Sequence, residues 1–177
     1  KRRIYAAMVS AVDDGVGELL ATLDELGIED DTIIFFLSDN GGVSKKNASN
    51  NKPLRGQKGD IWEGGFRVPM AARWPSAFEA GIVYDLPVIS LDIFATIAGL
   101  NNAPANQGRP LDGVNLVPFV NGENTGVPHE AIYLRKYDQQ RYAIRYHDYK
   151  LVIPKLNAKP QLYELSEDIG ETNNIAN

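Results

Sequence analysis

Thr32-Ile33-Ile34-Phe35-Phe36-Leu37-Ser38-Asp39-Asn40-Gly41-Gly42 joins a run of β-branched, aliphatic and aromatic residues to an abrupt polar, glycine-rich stop. A run this continuous, with no polar alternation, predicts a strand buried on both faces. The period before it is different. Ile4, Met8, Val12, Val16, Leu19, Leu20, Leu23 and Leu26 recur at three- and four-residue steps, which predicts an amphipathic helix stopped by Gly27. A helix feeding a short turn and then a buried strand is half of an α/β unit. Ligands of open α/β sheets bind beyond the carboxyl ends of strands, where Asp39 and Asn40 project.

Working outward, the stretch from Asp39 to Asp60 carries Gly41, Gly42, Pro53, Gly56 and Gly59 without periodicity and reads as a long functional loop. Phe66 to Trp74 is a second apolar run, and Pro69 within it marks an edge or irregular strand. Ser90 to Leu100 predicts a short helix capped by Ser90 or Asp92 and stopped by Gly99. Asn101 to Pro110 reads as a turn-rich link. From Ala131 the pattern changes to short β-like runs, AIYLRKY, RYAIRY, YKLVI and QLYEL, which predict a small antiparallel sheet with the tail from Ser166 forming a helical turn against it. The fold class expected is α/β, with residues 1–120 as the α/β portion and 121–177 as a small antiparallel-sheet portion ending in a helix. Gly15 and Gly17 each weaken a helix interior by up to about 1 kcal/mol, so close packing against a neighbour is their expected justification. The opening helix has no capping residue before Lys1, from which we expect that residue 1 is not a natural beginning.

Composition removes several classes of function. The 177 residues hold no cysteine, which excludes a disulfide framework, a thiolate metal site and a cysteine nucleophile, and two histidines argue against a His-rich metal centre. A net charge of −5 gives no broad attraction to nucleic acid or to anionic membranes. No apolar run approaches the roughly 18 residues of a membrane span. Neither nucleic acid nor membrane is an expected partner.

Two motifs carry chemistry. A carboxylate beside a carboxamide, Asp39-Asn40, is hard-oxygen ligation suited to Ca²⁺ or Mg²⁺, and Asp-Asn-Gly-Gly is equally a good Asx-turn. In Pro53-Leu54-Arg55-Gly56-Gln57-Lys58-Gly59, a glycine between two cations lets the chain bend tightly while presenting both to an anionic oxygen group such as sulfate or phosphate. A solvated basic loop is the plain alternative. The phosphate-loop pattern G-x-x-x-x-G-K-[ST] is not met, because glycine follows Lys58.

Taken in order, Ser38 to Gly42, Asn51 to Gly59, Trp62-Glu63-Gly64-Gly65-Phe66-Arg67-Val68-Pro69 and Trp74-Pro75 resemble the C-terminal half of a formylglycine-type sulfatase of the alkaline phosphatase superfamily. The likeness continues. Asp92 to Thr96 resembles the family's D-x-F-P-T, with alanine for proline; Asp112 to Leu116 its D-G-x-S-L; and Leu162 to Leu165 with Glu171 to Asn174 its L-Y-D-L and E-x-x-N. The resemblance implies an alkaline-phosphatase-like sheet sandwiched by helices and a role in sulfate ester hydrolysis. It implies that Asp39 and Asn40 ligate a divalent cation, Ca²⁺ or Mg²⁺, and that Lys58 contacts the sulfate group as a catalytic residue. Arg55 is a second candidate for the same anion, with a structural role as the alternative. Glu63, Gly64 and Gly65 are expected to fix the loop's path.

The departures define the rest. The family's nucleophile is a formylglycine made from C/S-x-P-x-R, and an aspartate pair near the N-terminus adds metal ligands; neither motif is present. Asp13 and Asp14 sit adjacent on the opening helix, facing apart by about 100°. His129 and His147 match no catalytic motif, and the tyrosines between 133 and 149 are expected to pack in the core or across strands rather than line a sugar site. The expectation is therefore a C-terminal sulfatase fragment, inactive alone, with formylglycine in a missing N-terminal half. That half is its partner, alongside a sulfate-ester substrate, an aryl sulfate or sulfated carbohydrate. An exposed apolar face where the two halves meet is expected too. Other readings are a phosphatase or phosphonate hydrolase fragment of the same superfamily, or a noncatalytic glycan- or anion-binding module. The resemblance implies a periplasmic, secreted or lysosomal enzyme.

Overall fold

A computed structural model describes residues 1–103 and 108–176, so the middle of the expected link, 104–107, lies outside the described residues. The opening helix α1 is Arg2–Glu25, followed by β1 (Ile34–Leu37), the short helical turns α2 (Ser44–Asn47) and α3 (Glu63–Phe66), and β2 (Met70–Arg73). Then come α4 (Leu91–Leu100), α5 (Val117–Val120) and the strands β3 (Ala131–Lys136), β4 (Arg141–Tyr146), β5 (Tyr149–Ile153) and β6 (Gln161–Glu164). β1 and β2 form a two-stranded sheet, and β3 to β6 a four-stranded antiparallel meander in chain order. The chain divides into two compact units: Lys1–Thr22, Phe36–Ala71 and Ala131–Asn177 in one, Leu23–Phe35 and Ala72–Glu130 in the other.

α1 ends as its sequence predicts. Gly27 takes φ +65° and its N–H bonds Asp24 O, while Ile28 N bonds Leu23 O, closing the last turn with a left-handed residue. Its apolar stripe, however, is bare: Ile4, Met8, Val12 and Leu19 are all about half or more exposed. A methyl built on Gly15 or Gly17 would meet nothing within 4 Å, so the close approach expected at these glycines is absent among the described residues. Likewise β1 is only partly covered, with Phe36 49% exposed where burial on both faces is expected. Both departures have one cause: apolar faces with no partner among the described residues.

In the first unit the meander buries one face. Ala143, Val152, Tyr163 and Leu165 close on Ile61, with Trp62 and Leu134 packed against them. Trp62 meets Tyr163 edge-on at 5.8 Å, a favoured aromatic geometry. The tyrosines do not enter the core, since Tyr133, Tyr137, Tyr146 and Tyr149 are exposed, but Tyr146 and Tyr149 stand opposite each other across β4 and β5. After β6 the tail makes one helical turn, Asp168 N donating to Glu164 O at 2.8 Å, and then runs on without the expected helix. It returns along β6, where Ile175 N bonds Leu162 O and Leu162 N bonds Asn174 Oδ1, both at 2.9 Å.

The second unit explains two of the sequence motifs by each other. Asp92, fully buried in the first turn of α4, accepts from Ile89 N at 2.7 Å, from Val114 N at 2.9 Å and pairs with His129 Nε2 at 2.9 Å. Buried Thr96 Oγ1 accepts from Leu116 N at 3.0 Å. The Asp112–Leu116 segment is thus bound to α4 by the side chains of the Asp92–Thr96 segment, each satisfying a backbone N–H that burial would otherwise strand. Ser90 makes no side-chain cap, and the helix runs through Gly99 to Leu100. Trp74 Nε1 and Ser76 Oγ both donate to Asp30 O, and Arg73 pairs with Glu29 at 2.6 Å, so the Trp74-Pro75 motif docks on the turn after α1.

Candidate active site

The site grows from the end of β1. Ser38 N bonds Pro69 O at 3.4 Å, and Ser38 Oγ donates to Asn40 O at 2.9 Å. Asp39 is exposed, and among the described residues its carboxylate accepts no hydrogen bond. Asn40 is half-buried; its Nδ2 donates to Gly41 O at 3.1 Å, leaving Oδ1 without a donor among the same residues. The oxygens of these two side chains fit a hard cation as part of a ligand set, since Ca²⁺ takes about 6–8 oxygens. Among the described residues no group of three or more His, Cys, Asp or Glu side chains completes such a set.

Next, Gly41 is buried and its N–H bonds Gly65 O at 3.0 Å. The Asn51 side chain clasps the following loop: its Oδ1 accepts from Gly42 N at 3.0 Å and its Nδ2 donates to Gly42 O at 2.8 Å and Gly56 O at 3.0 Å. Gly56 at φ +89° and Gly59 at φ +86° bend the chain on either side of Gln57-Lys58, a conformation that glycine adopts at no steric cost. Asp60 Oδ2 accepts from Gln57 N and its Oδ1 from Arg141; Lys136 Nζ donates to Gly59 O at 2.9 Å. Lys58 is exposed and, among the described residues, makes no ion pair or hydrogen bond. Its charge is free for an anion.

Arg55 is engaged elsewhere. Its Nη1 donates to Glu171 O at 2.8 Å and Tyr163 Oη at 3.2 Å, and its guanidinium lies 3.6 Å from the centre of the Trp62 ring.

Both loops hang on α3. Gly64 N donates to Arg55 O at 2.7 Å on one side, and Gly65 O accepts from Gly41 N on the other. Side chains are barred from the junction: a methyl on Gly41 would overlap Gly64 O, one on Gly65 would overlap Asp60 O, and one on Gly64 would come within 2.7 Å of Arg55 O and Gly56 O. Asp39-Asn40 and Arg55–Lys58 are thereby tied to one turn through glycine backbone.

Beneath α3 lies a cluster of buried charge with no counterpart in the sequence reading. Lys150 Nζ, fully buried, sits 2.9 Å from Glu63 Oε1 and 2.7 Å from Glu171 Oε1, both carboxylates also buried. Glu63 N donates to Glu171 Oε2 at 2.7 Å, and Arg67 and Arg145 approach Glu63 Oε2 at 3.5 and 3.9 Å. Phe66 covers the Lys150 ammonium with its ring centre at 4.6 Å. Burial raises the Glu171 carboxyl above the usual range against the opposing pull of Lys150 and the Glu63 N–H. Its native proton affinity therefore exceeds the unfolded one. That contribution to stability is complete below about pH 4.3 and is lost as pH rises through the raised native value. Glu171→Gln should accordingly gain on the wild type as pH rises, read as the difference in Tm between about pH 4 and pH 7. A difference that stays constant over that range would assign the titration to another group.

A sulfatase family model matches residues 1–103, and a model of the N-sulphoglucosamine sulphohydrolase C-terminal region matches residues 57–177. The chain belongs to the sulfatase family. Human steryl-sulfatase is 39% identical over 137 residues, covering 73% of this chain and 24% of that protein. The chain thus spans about a quarter of the length of this curated relative. The crystal structure of Ps i-CgsB in complex with k-i-k-neocarrahexaose superposes with a TM-score of 0.85 at 39% identity, over 98% of this chain and 39% of that one. The structure of BT4656 with its substrate D-glucosamine-2-N,6-O-disulfate gives 0.79 at 26% identity, over 97% and 35%. The curated relatives bear sulfatase names, so the chain resembles the sulfuric ester hydrolases, and the chain's α/β architecture with the antiparallel meander is that of a sulfatase C-terminal region. No described helix is long and apolar enough to cross a membrane.

Proposed function

We propose that this chain is the C-terminal part of an enzyme that hydrolyses sulfate esters, and that Asp39, Asn40 and Lys58 are its contribution to the active site. The observation that carries the reading is that, among the described residues, the Asp39 and Asn40 side-chain oxygens accept no hydrogen bond and the Lys58 ammonium has no partner, all on loops tied to one turn. Asp39 Oδ and Asn40 Oδ1 hold part of the coordination sphere of a hard divalent cation, Ca²⁺ or Mg²⁺. When bound, such an ion polarises the sulfate oxygens and favours an ionised nucleophile. The Lys58 ammonium stabilises negative charge developing on the leaving ester oxygen. Arg55, committed to Glu171, Tyr163 and Trp62, anchors the loop that presents Lys58.

The formylglycine nucleophile and the remaining metal ligands belong to an N-terminal part, and the bare stripe of α1 with exposed Phe36 supports a surface that this part covers. The substrate class is a sulfate ester, aryl or carbohydrate. Isolated, the chain should turn over no aryl sulfate with Ca²⁺ present beyond a Lys58→Ala control. The complete enzyme should cleave a sulfate ester in preference to the matched phosphate ester. Phosphate preference would move the reading to the phosphatase side of the superfamily; glycan binding by the chain that survives both chelation and Asp39→Ala would support a noncatalytic module.

A further inference from the structure

Lys150 is an anomaly in strand β5: an ammonium with no exposed surface, held between two carboxylates that are themselves buried. Isolating such charges from water is costly, and a buried ion cluster is weak evidence of stabilisation, since apolar replacement of a whole cluster is often neutral or better. What the cluster does provide is direction. Lys150 fixes Glu63 Oε1 at 2.9 Å, and Glu171 Oε2 takes the Glu63 N–H at 2.7 Å, so this residue is held at its side chain by β5 and at its backbone by the tail. Glu63 opens α3. The next two residues carry the two loops: Gly64 N grips Arg55 O, and Gly65 O receives Gly41 N. Glu171 O also accepts from Arg55 Nη1, so the same tail residue holds the Lys58 loop at its root.

We propose that Lys150 is a positioning residue for the active site, setting through Glu63 and Glu171 the placement of Lys58 against the Asp39-Asn40 loop. This rests on the sulfatase reading given above. Lys150 touches no substrate; it acts by holding the turn on which both loops depend. Displacement of a reacting group by about 1 Å can lower a rate about 10²-fold, so a small shift of α3 reaches the chemistry.

The test uses the complete enzyme. Lys150→Met alone leaves two buried carboxylates facing each other and risks misfolding. Lys150→Met combined with Glu171→Gln removes one cation and one anion, and keeps an oxygen acceptor for the Glu63 N–H. With this double variant, kcat per folded enzyme on a sulfate ester should fall about 10²-fold while KM changes by less than about threefold. Amide exchange at Gly41 and Gly64 should quicken. In a Lys58→Ala background the double variant should cause a clearly smaller loss than in the wild type, because the part of its effect that acts through Lys58 is already gone. Losses that multiply in that background, or unchanged exchange at both glycines, would overturn the proposal. If Lys58→Ala by itself leaves the rate intact, the sulfatase assignment of Lys58 falls, and exchange at Gly41 and Gly64 still decides whether Lys150 positions the turn.

Discussion

Lys58→Ala in the complete enzyme is expected to lower kcat/KM for a sulfate ester by about 10²–10³, with most of the loss in kcat. The reason is that Lys58 makes no ion pair among the described residues and sits in a loop held at Asn51, Asp60, Gly59 and Arg55 rather than by its own side chain. Its removal should leave the fold intact and take away only charge offered to the ester. The expectation can be sharpened with the leaving group: esters of good leaving phenols place less charge on the departing oxygen, so they should suffer less from Lys58→Ala. Steady-state rates on a series of aryl sulfates measure this. A loss independent of leaving-group acidity would place Lys58 in binding rather than in bond cleavage.

Gly41→Ala should be severe in another way. Its methyl would overlap Gly64 O, a backbone atom in a buried turn with no freedom to swing aside. Overpacking usually costs about 1–3 kcal/mol, and contact with backbone belongs at the upper end or beyond. The cost would be shared between stability and activity, because relief requires moving α3 away from Gly41 and so separating Asp39-Asn40 from the Lys58 loop. A drop in Tm together with loss of activity is the expected result. Gly27→Ala offers the contrast: that glycine has no atom within 4 Å of the added methyl, so only its positive φ is penalised. Equal losses of activity in the two variants would argue against the junction at Gly41.

How far the site was legible depended on contact range. The strands β3 to β6 follow from alternation, and the loop's turns from Gly56 and Gly59, because both are local matters of period and φ. Asp39 and Asn40 could be singled out as chemical types at a strand end, and Lys58 as a cation in a loop bent by Gly56 and Gly59. The support beneath them could not. Asp92 reads as a helix cap, yet its carboxylate reaches Val114 and His129. Glu171 reads as part of a tail motif, yet it meets Glu63 and Lys150. Lys150 did leave a trace: in the run Tyr149 to Ile153 it shares the inward face with Val152, and period two alone would have placed a lysine in the core. The bare stripe of α1 shows the converse, apolar residues with no partner among those described.

The returning tail also bears on how this sheet behaves toward other chains. By placing the Asn174 side chain on Leu162 N and Ile175 N on Leu162 O, it ends the ladder at β6 and denies an incoming strand its first pair of bonds. At the opposite edge, β3 carries Arg135 and Lys136 side by side, charges that discourage edge-to-edge pairing. One end of the meander is guarded by covalently attached backbone and the other by charge. A chain cut short before Asn174 would lose the first guard and offer β6 as a template for strand addition and aggregation.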